Sequence, residues 1–100
     1  MLKLEKGIKT KNKTEIAALA MDLKRIALGY HNGSSQTAER FTREALKRRE
    51  EIDARYEAEY INKILNTLPK TLSQKDKKRL AEDALMYSTI FQNYALHNSS

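Results

Sequence analysis

Few side chains in this sequence are suited to chemistry, and their spacing limits what they can do. The histidines are His31 and His97, and there is no cysteine. Each histidine falls where a helix is expected to end, a position in which imidazole caps carbonyls and its cation suits the helix dipole. A metal centre would need further convergent ligands, and the sequence places none beside either. The carboxylates Glu50-Glu51-Asp53 and Glu57-Glu59 lie within an arginine-rich segment, so solvated ion pairs explain them better than an acid–base pair. Gly29 and Gly33 enclose three residues and read as turn punctuation, not as a phosphate-binding loop. The expectation is a non-enzymatic protein with no cofactor, no metal and no small-molecule substrate.

Charge is the stronger signal. The net charge is +6, and it is unevenly placed. Residues 1–13 carry Lys3, Lys6, Lys9, Lys11 and Lys13 against Glu5, and residues 70–79 carry Lys70, Lys75, Lys77, Lys78 and Arg79 against Asp76. Lys75, Lys77, Lys78 and Arg79 are expected at the start of a helix, where the dipole disfavours cations by a few tenths of a kcal/mol each. Such a cluster suits an anionic partner: an acidic protein or, with Lys9, Lys11 and Lys13 as a second contact, nucleic-acid phosphate. No helix-turn-helix spacing or zinc pattern accompanies it, so base-specific readout has no visible basis.

The tyrosines number five, with no tryptophan. Tyr56, Tyr60, Tyr87 and Tyr94 fall on apolar seams, so packing accounts for them better than base stacking.

The elements that must position these groups are helical. One proline, three glycines and no valine leave little material for β structure. Ser35 to Leu68 is 34 residues without glycine or proline, and a continuous helix there would be roughly 50 Å long. Ala38, Phe41, Ala45, Ile52, Tyr56, Tyr60 and Ile64 keep to one helical face. The apolar-free run Lys47-Arg48-Arg49-Glu50-Glu51 leaves a break near 47–51 open. Before this segment, a first helix is expected from near Asn12, with Asn12 and Glu15 at capping-box spacing and Thr14 the other candidate cap. Its stripe is Ile16, Leu19, Ala20, Leu23, Ile26, Ala27 and Tyr30, and Gly29 or Gly33 ends it. After the segment, Pro69 is expected to force a turn and Ser73 with Asp76 to cap a third helix from about Gln74 to His97. Leu80, Ala84, Tyr87, Phe91 and Tyr94 form its lengthwise seam.

The sequence therefore predicts an all-α protein, a three-helix antiparallel arrangement around one long central helix at about 35–68. A basic flexible arm at 1–11 precedes a helical domain at 12–97, and 98–100 form a polar tail. The short outer helices would leave apolar surface bare, and a homodimer would cover it most simply. The expected oligomer or partner interface comprises Leu19, Met21, Leu28, Tyr56, Tyr60, Ile64, Leu80, Ala84, Tyr87, Phe91 and Tyr94. The start lacks the apolar block of a signal peptide, and no apolar run approaches the roughly 20 residues of a membrane span. A cytoplasmic interaction or regulatory protein that self-associates and binds an acidic or helical protein partner is expected. The alternative is a nucleic-acid-binding accessory protein that uses the arm and the 75–79 cluster.

Overall fold

A computed structural model describes residues 2–97 of the chain. The tail assigned to 98–100 lies outside the described residues. The elements are α1 (Leu2–His31), α2 (Ser35–Arg49), a 3-10 turn at Ala54–Tyr56, α3 (Glu59–Thr71) and α4 (Lys77–His97). Among the described residues there is no strand.

The spine of the bundle is α1, not the segment 35–68. At 30 residues it is roughly 45 Å long, enough for α2 and α4 both to run beside it. Of the arm expected at 1–11, the described residues Leu2 through Lys11 are instead the first turns of this helix. They lack a sustained apolar period, but extending a helix whose body is already packed avoids the cost of nucleation. Ile16, Leu19, Leu23 and Ile26 are enclosed, with Phe91 of α4 the largest enclosed side chain.

Neighbouring helices alternate in direction. Arg48 near the end of α2 reaches back to Glu15 and Asp22 of α1, at 3.4 and 2.9 Å. The hydroxyl of Ser88 in α4 donates to the carbonyl of Ala20 at 2.6 Å. Close to the α1–α2 turn, a side chain on Gly29 would meet Ala38 at 3.0–3.2 Å, so glycine sets the approach of the two helices there. Gly33, at φ +75°, takes the left-handed position that lets the Ser34 and Gly33 amides bond the carbonyls of Gly29 and Tyr30.

The segment expected as one long helix is divided. α2 tightens through Glu50, Glu51 and Ile52, whose amides each reach back three residues, and the chain then extends at Asp53. The physical cause lies outside the segment. Asn12, expected as an N-cap, is buried in the middle of α1 instead, and its amide holds Asp53 in place of the helix's own hydrogen bonds.

Pro69 also differs from expectation: it lies inside α3, which continues to Thr71. Proline removes the amide that would bond the Leu65 carbonyl, and Nε of Arg49, at the end of α2, donates to that carbonyl instead. The third expected helix starts at Lys77, not Gln74. Asp76 accepts from the Arg79 amide at 3.2 Å as its N-cap, while the Ser73 hydroxyl turns back to the Lys70 carbonyl.

Candidate functional site

Where α1 ends and α4 begins, the two antiparallel helices diverge around a cleft of about 660 Å³. Its apolar lining is Ala27 and Leu28 from α1 with Ala81 and Leu85 from α4. Tyr30, His31, Lys77, Lys78 and Glu82 complete it. Leu28 is 46% and Leu85 48% exposed, so these large side chains remain uncovered by the chain itself. Helical spacing continues the surface: Met21 lies two turns before Leu28, and Leu96 three turns after Leu85. Both are exposed, Leu96 at 64%.

The lip of the cleft is basic. The Lys77 ammonium stands 5.5 Å from the centre of the Tyr30 ring and donates to the Gln74 carbonyl at 3.0 Å. Among the described residues, Lys75, Lys77, Lys78 and Arg79 are all exposed and none forms an ion pair. They stand at the positive end of α4, so dipole and side chains add to one cationic field. Glu82 is the one carboxylate in the lining.

The expected interface residues divide into three groups. Leu19, Leu80, Ala84 and Phe91 are enclosed within the chain's own core. Ile64, Tyr87 and Tyr94 are partly buried against that core, and Tyr56 is partly buried beneath the Arg55 guanidinium. Met21, Leu28 and Tyr60 are exposed, but Tyr60 meets Tyr94 edge-on at 5.8 Å and does not line the cleft. The cleft thus brings Leu28 together with Lys77 and Lys78, residues expected to serve separate purposes. His31, expected only as a helix-end cap, joins them, as do Ala81, Glu82 and Leu85 from outside the expected interface. The signal for Leu85 is present in the sequence, because it lies off the Leu80–Ala84–Phe91 seam and so cannot share its buried face.

The lysines expected as a second contact are elsewhere. Lys11 pairs with Glu51 at 3.3 Å, at the end of the bundle where Asn12 meets Asp53. From Lys11 to Tyr30 is roughly 28 Å along α1. Lys9 is exposed and Lys13 partly buried on the same stretch, so the two basic groups form no single patch.

A second cluster of polar groups lies at that far end. Asn12 Nδ2 donates to the Asp53 carbonyl and to the Glu57 carboxylate, both at 2.7 Å, while the Asp53 amide donates back to Asn12 Oδ1 at 2.9 Å. The Tyr94 hydroxyl donates to Glu57 at 2.8 Å and accepts from the Ala58 amide at 3.1 Å. Burial, the largest influence, holds the Tyr94 phenol above its ordinary pKa, and Glu57 adds to the rise. Hydrogen bonds from Arg55 hold the Asp53 carboxyl below its ordinary value. This network is internally satisfied and faces other parts of the chain. His97, at the end of α4, lies at the opposite end of the bundle from His31. Among the described residues, no group of three or more His, Cys, Asp or Glu is placed to hold a metal ion. Nor is any helix there long and apolar enough to cross a membrane.

Compared with protein-family models, curated proteins and solved structures, the chain matches none.

Proposed function

We propose that this protein is a non-enzymatic helical interaction protein that self-associates and binds a protein partner at the α1–α4 cleft. The observation that carries this reading is the junction of exposed Leu28 and Leu85 with the ammonium groups of Lys77 and Lys78, neither of which has a carboxylate partner among the described residues. An apolar trough between two helices takes the apolar face of a third helix. A cationic lip at the positive end of α4 selects one with acidic side chains at the matching end. The partner is therefore an amphipathic helix carrying Glu or Asp beside its apolar stripe. Absence of cysteine suits a reducing compartment such as the cytoplasm.

The test is fluorescence anisotropy with a labelled amphipathic peptide about five turns long, with Leu on one face and Glu flanking it. Binding is expected, and Leu28→Gln or Leu85→Gln should abolish it. Lys77→Gln with Lys78→Gln should weaken it about three- to tenfold and flatten its salt dependence. Equal binding of a matched peptide with Lys in place of Glu would overturn the acidic-partner reading.

The exposure of Lys75, Lys77, Lys78 and Arg79 supports a second reading, non-specific contact with nucleic-acid phosphate. A labelled DNA duplex would then bind with an affinity falling log-linearly with salt, and changing the four cations to Gln would remove it. Retention of duplex binding by that variant would remove this reading.

A further inference from the structure

We propose that the bend between α2 and α3 is a hinge, and that a second copy of this chain can take the place of the α3–α4 half. Residues 50–58 contain neither glycine nor proline, and nothing in their side chains forbids helix. No non-glycine residue among those described has a positive φ, so no left-handed backbone fixes the bend. It rests on extended backbone at Asp53, Glu57 and Ala58, at ψ 102°, 159° and 149°.

Three side chains from outside the segment hold it, and one of them, Asn62 of α3, donates to the Ala54 and Glu57 carbonyls at 2.9 and 3.4 Å. Asn12 takes both the amide and the carbonyl of Asp53 and adds a bond to the Glu57 carboxylate. Tyr94 takes that carboxylate and the Ala58 amide. Within the bend the Asp53 carboxylate caps the Arg55 amide at 3.1 Å, while the last residue before α3 and the end of α2 add no side-chain cap. Ala58 has no side-chain cap to offer α3, and α2 runs on into Ile52 through backbone bonds.

Releasing these anchors would let the backbone of 50–58 close its own helical hydrogen bonds and join α2 to α3. The joined helix would carry α3 and α4 away from α1 of the same chain. An identical second chain offers the same α1 surface, so the contacts between halves re-form across copies, Ser88 to the Ala20 carbonyl and Arg49 to the Leu65 carbonyl among them. Leu19 and Phe91, enclosed within one chain in the bent form, would then meet between chains. The bonds of Asn12, Tyr94 and Asn62 to the hinge are lost in exchange, together with the Asp53 cap on the Arg55 amide. This proposal concerns self-association alone and does not depend on what occupies the cleft.

The experiment refolds the full chain from urea at about millimolar concentration and measures mass by light scattering, with amide exchange followed over the hinge. The wild type should yield a dimer in which amides 53–58 are more protected than in the monomer. Asn12→Ala should lower the dimer dissociation constant by about two to three orders of magnitude, since both bent monomers lose bonds that the dimer does not make, and Tyr94→Phe should lower it in the same direction. Ala54→Pro should prevent the dimer. Ala54 is the first residue of the 3-10 turn, where a missing amide costs little, and Asp53 already has the extended backbone that a residue before proline prefers. Proline in the middle of the joined helix, by contrast, would break it. A dimer formed equally well by Ala54→Pro, or a wild type and Asn12→Ala that both stay monomeric after refolding, would overturn the proposal. Peptide binding at the cleft retained by Ala54→Pro would show that the two readings stand or fall apart.

Discussion

The two ends of α1 meet α4 in opposite ways. At the Asn12 end, polar groups converge and find partners: Asp53, Glu57, Ala58 and Tyr94 are joined by hydrogen bonds of 2.7–3.1 Å. At the Tyr30 end, leucines remain exposed and the lysines form no ion pair among the described residues, although Glu82 lines the same cleft. Basic residues occur at both ends, so charge alone does not distinguish them. The distinction is whether the chain supplies the complement. Where it does, as for Lys11 with Glu51 and Arg48 with Asp22, the residues hold the fold. Where it does not, the surface remains available to another molecule.

Substitutions can break this comparison, and the largest effect belongs to the closed half. Asp22 is buried with Arg48 as its partner. Arg48→Met should therefore cost about 3 kcal/mol in urea unfolding, because a buried carboxylate loses its counter-charge. Adding Asp22→Leu to that variant should recover most of the loss; failure to do so would mean that Arg48 stabilises by other contacts. Asn12→Ala should cost about 2 kcal/mol, because the Asp53 amide and carbonyl lose their partner. Thr14→Ala, two residues along α1 and exposed, should cost a few tenths of that in the same assay.

Alkali sharpens the contrast further. The Tyr94 phenol is held above its ordinary value near 10, so the folded state keeps a proton that the unfolded chain gives up. Its contribution is complete below pH 10 and should decline as pH rises through the folded pKa; Tyr94→Phe should remove that part of the decline. Smallest of all should be the effect on stability at the open end. Leu28→Gln and Leu85→Gln should shift unfolding by about 0.5 kcal/mol or less, although the same changes should abolish peptide binding. A loss of several kcal/mol would show that the cleft is part of the core.

Much of this arrangement is legible in residue spacing. The stripe from Ile16 to Ala27 is the buried side of α1, and Leu80, Ala84 and Phe91 are the buried side of α4. Periodicity finds such faces because burial is repeated every turn. It does not find a single long-range hydrogen bond, and that is what bends the chain at Asp53. Asn12 and Glu15 match a helix start equally well whether Asn12 caps a helix or anchors a segment about 40 residues away. The cleft was half legible: Leu28 and the lysines stand out individually, but their meeting depends on α1 and α4 being neighbours in antiparallel register. Pro69 misleads for a related reason, since its effect depends on whether another side chain takes up the carbonyl it leaves free.

That substitution of Arg49 for a missing amide ties together two positions that share no charge, size or polarity. Across descendants of this sequence, arginine at 49 and proline at 69 should be inherited as a pair. A lineage that replaces the proline restores an amide at position 69 that can donate to the Leu65 carbonyl, and its arginine is then free to drift. One that loses the arginine first leaves a bare carbonyl between two packed helices. The order in which the pair decays should therefore be biased, with the proline changing before the arginine.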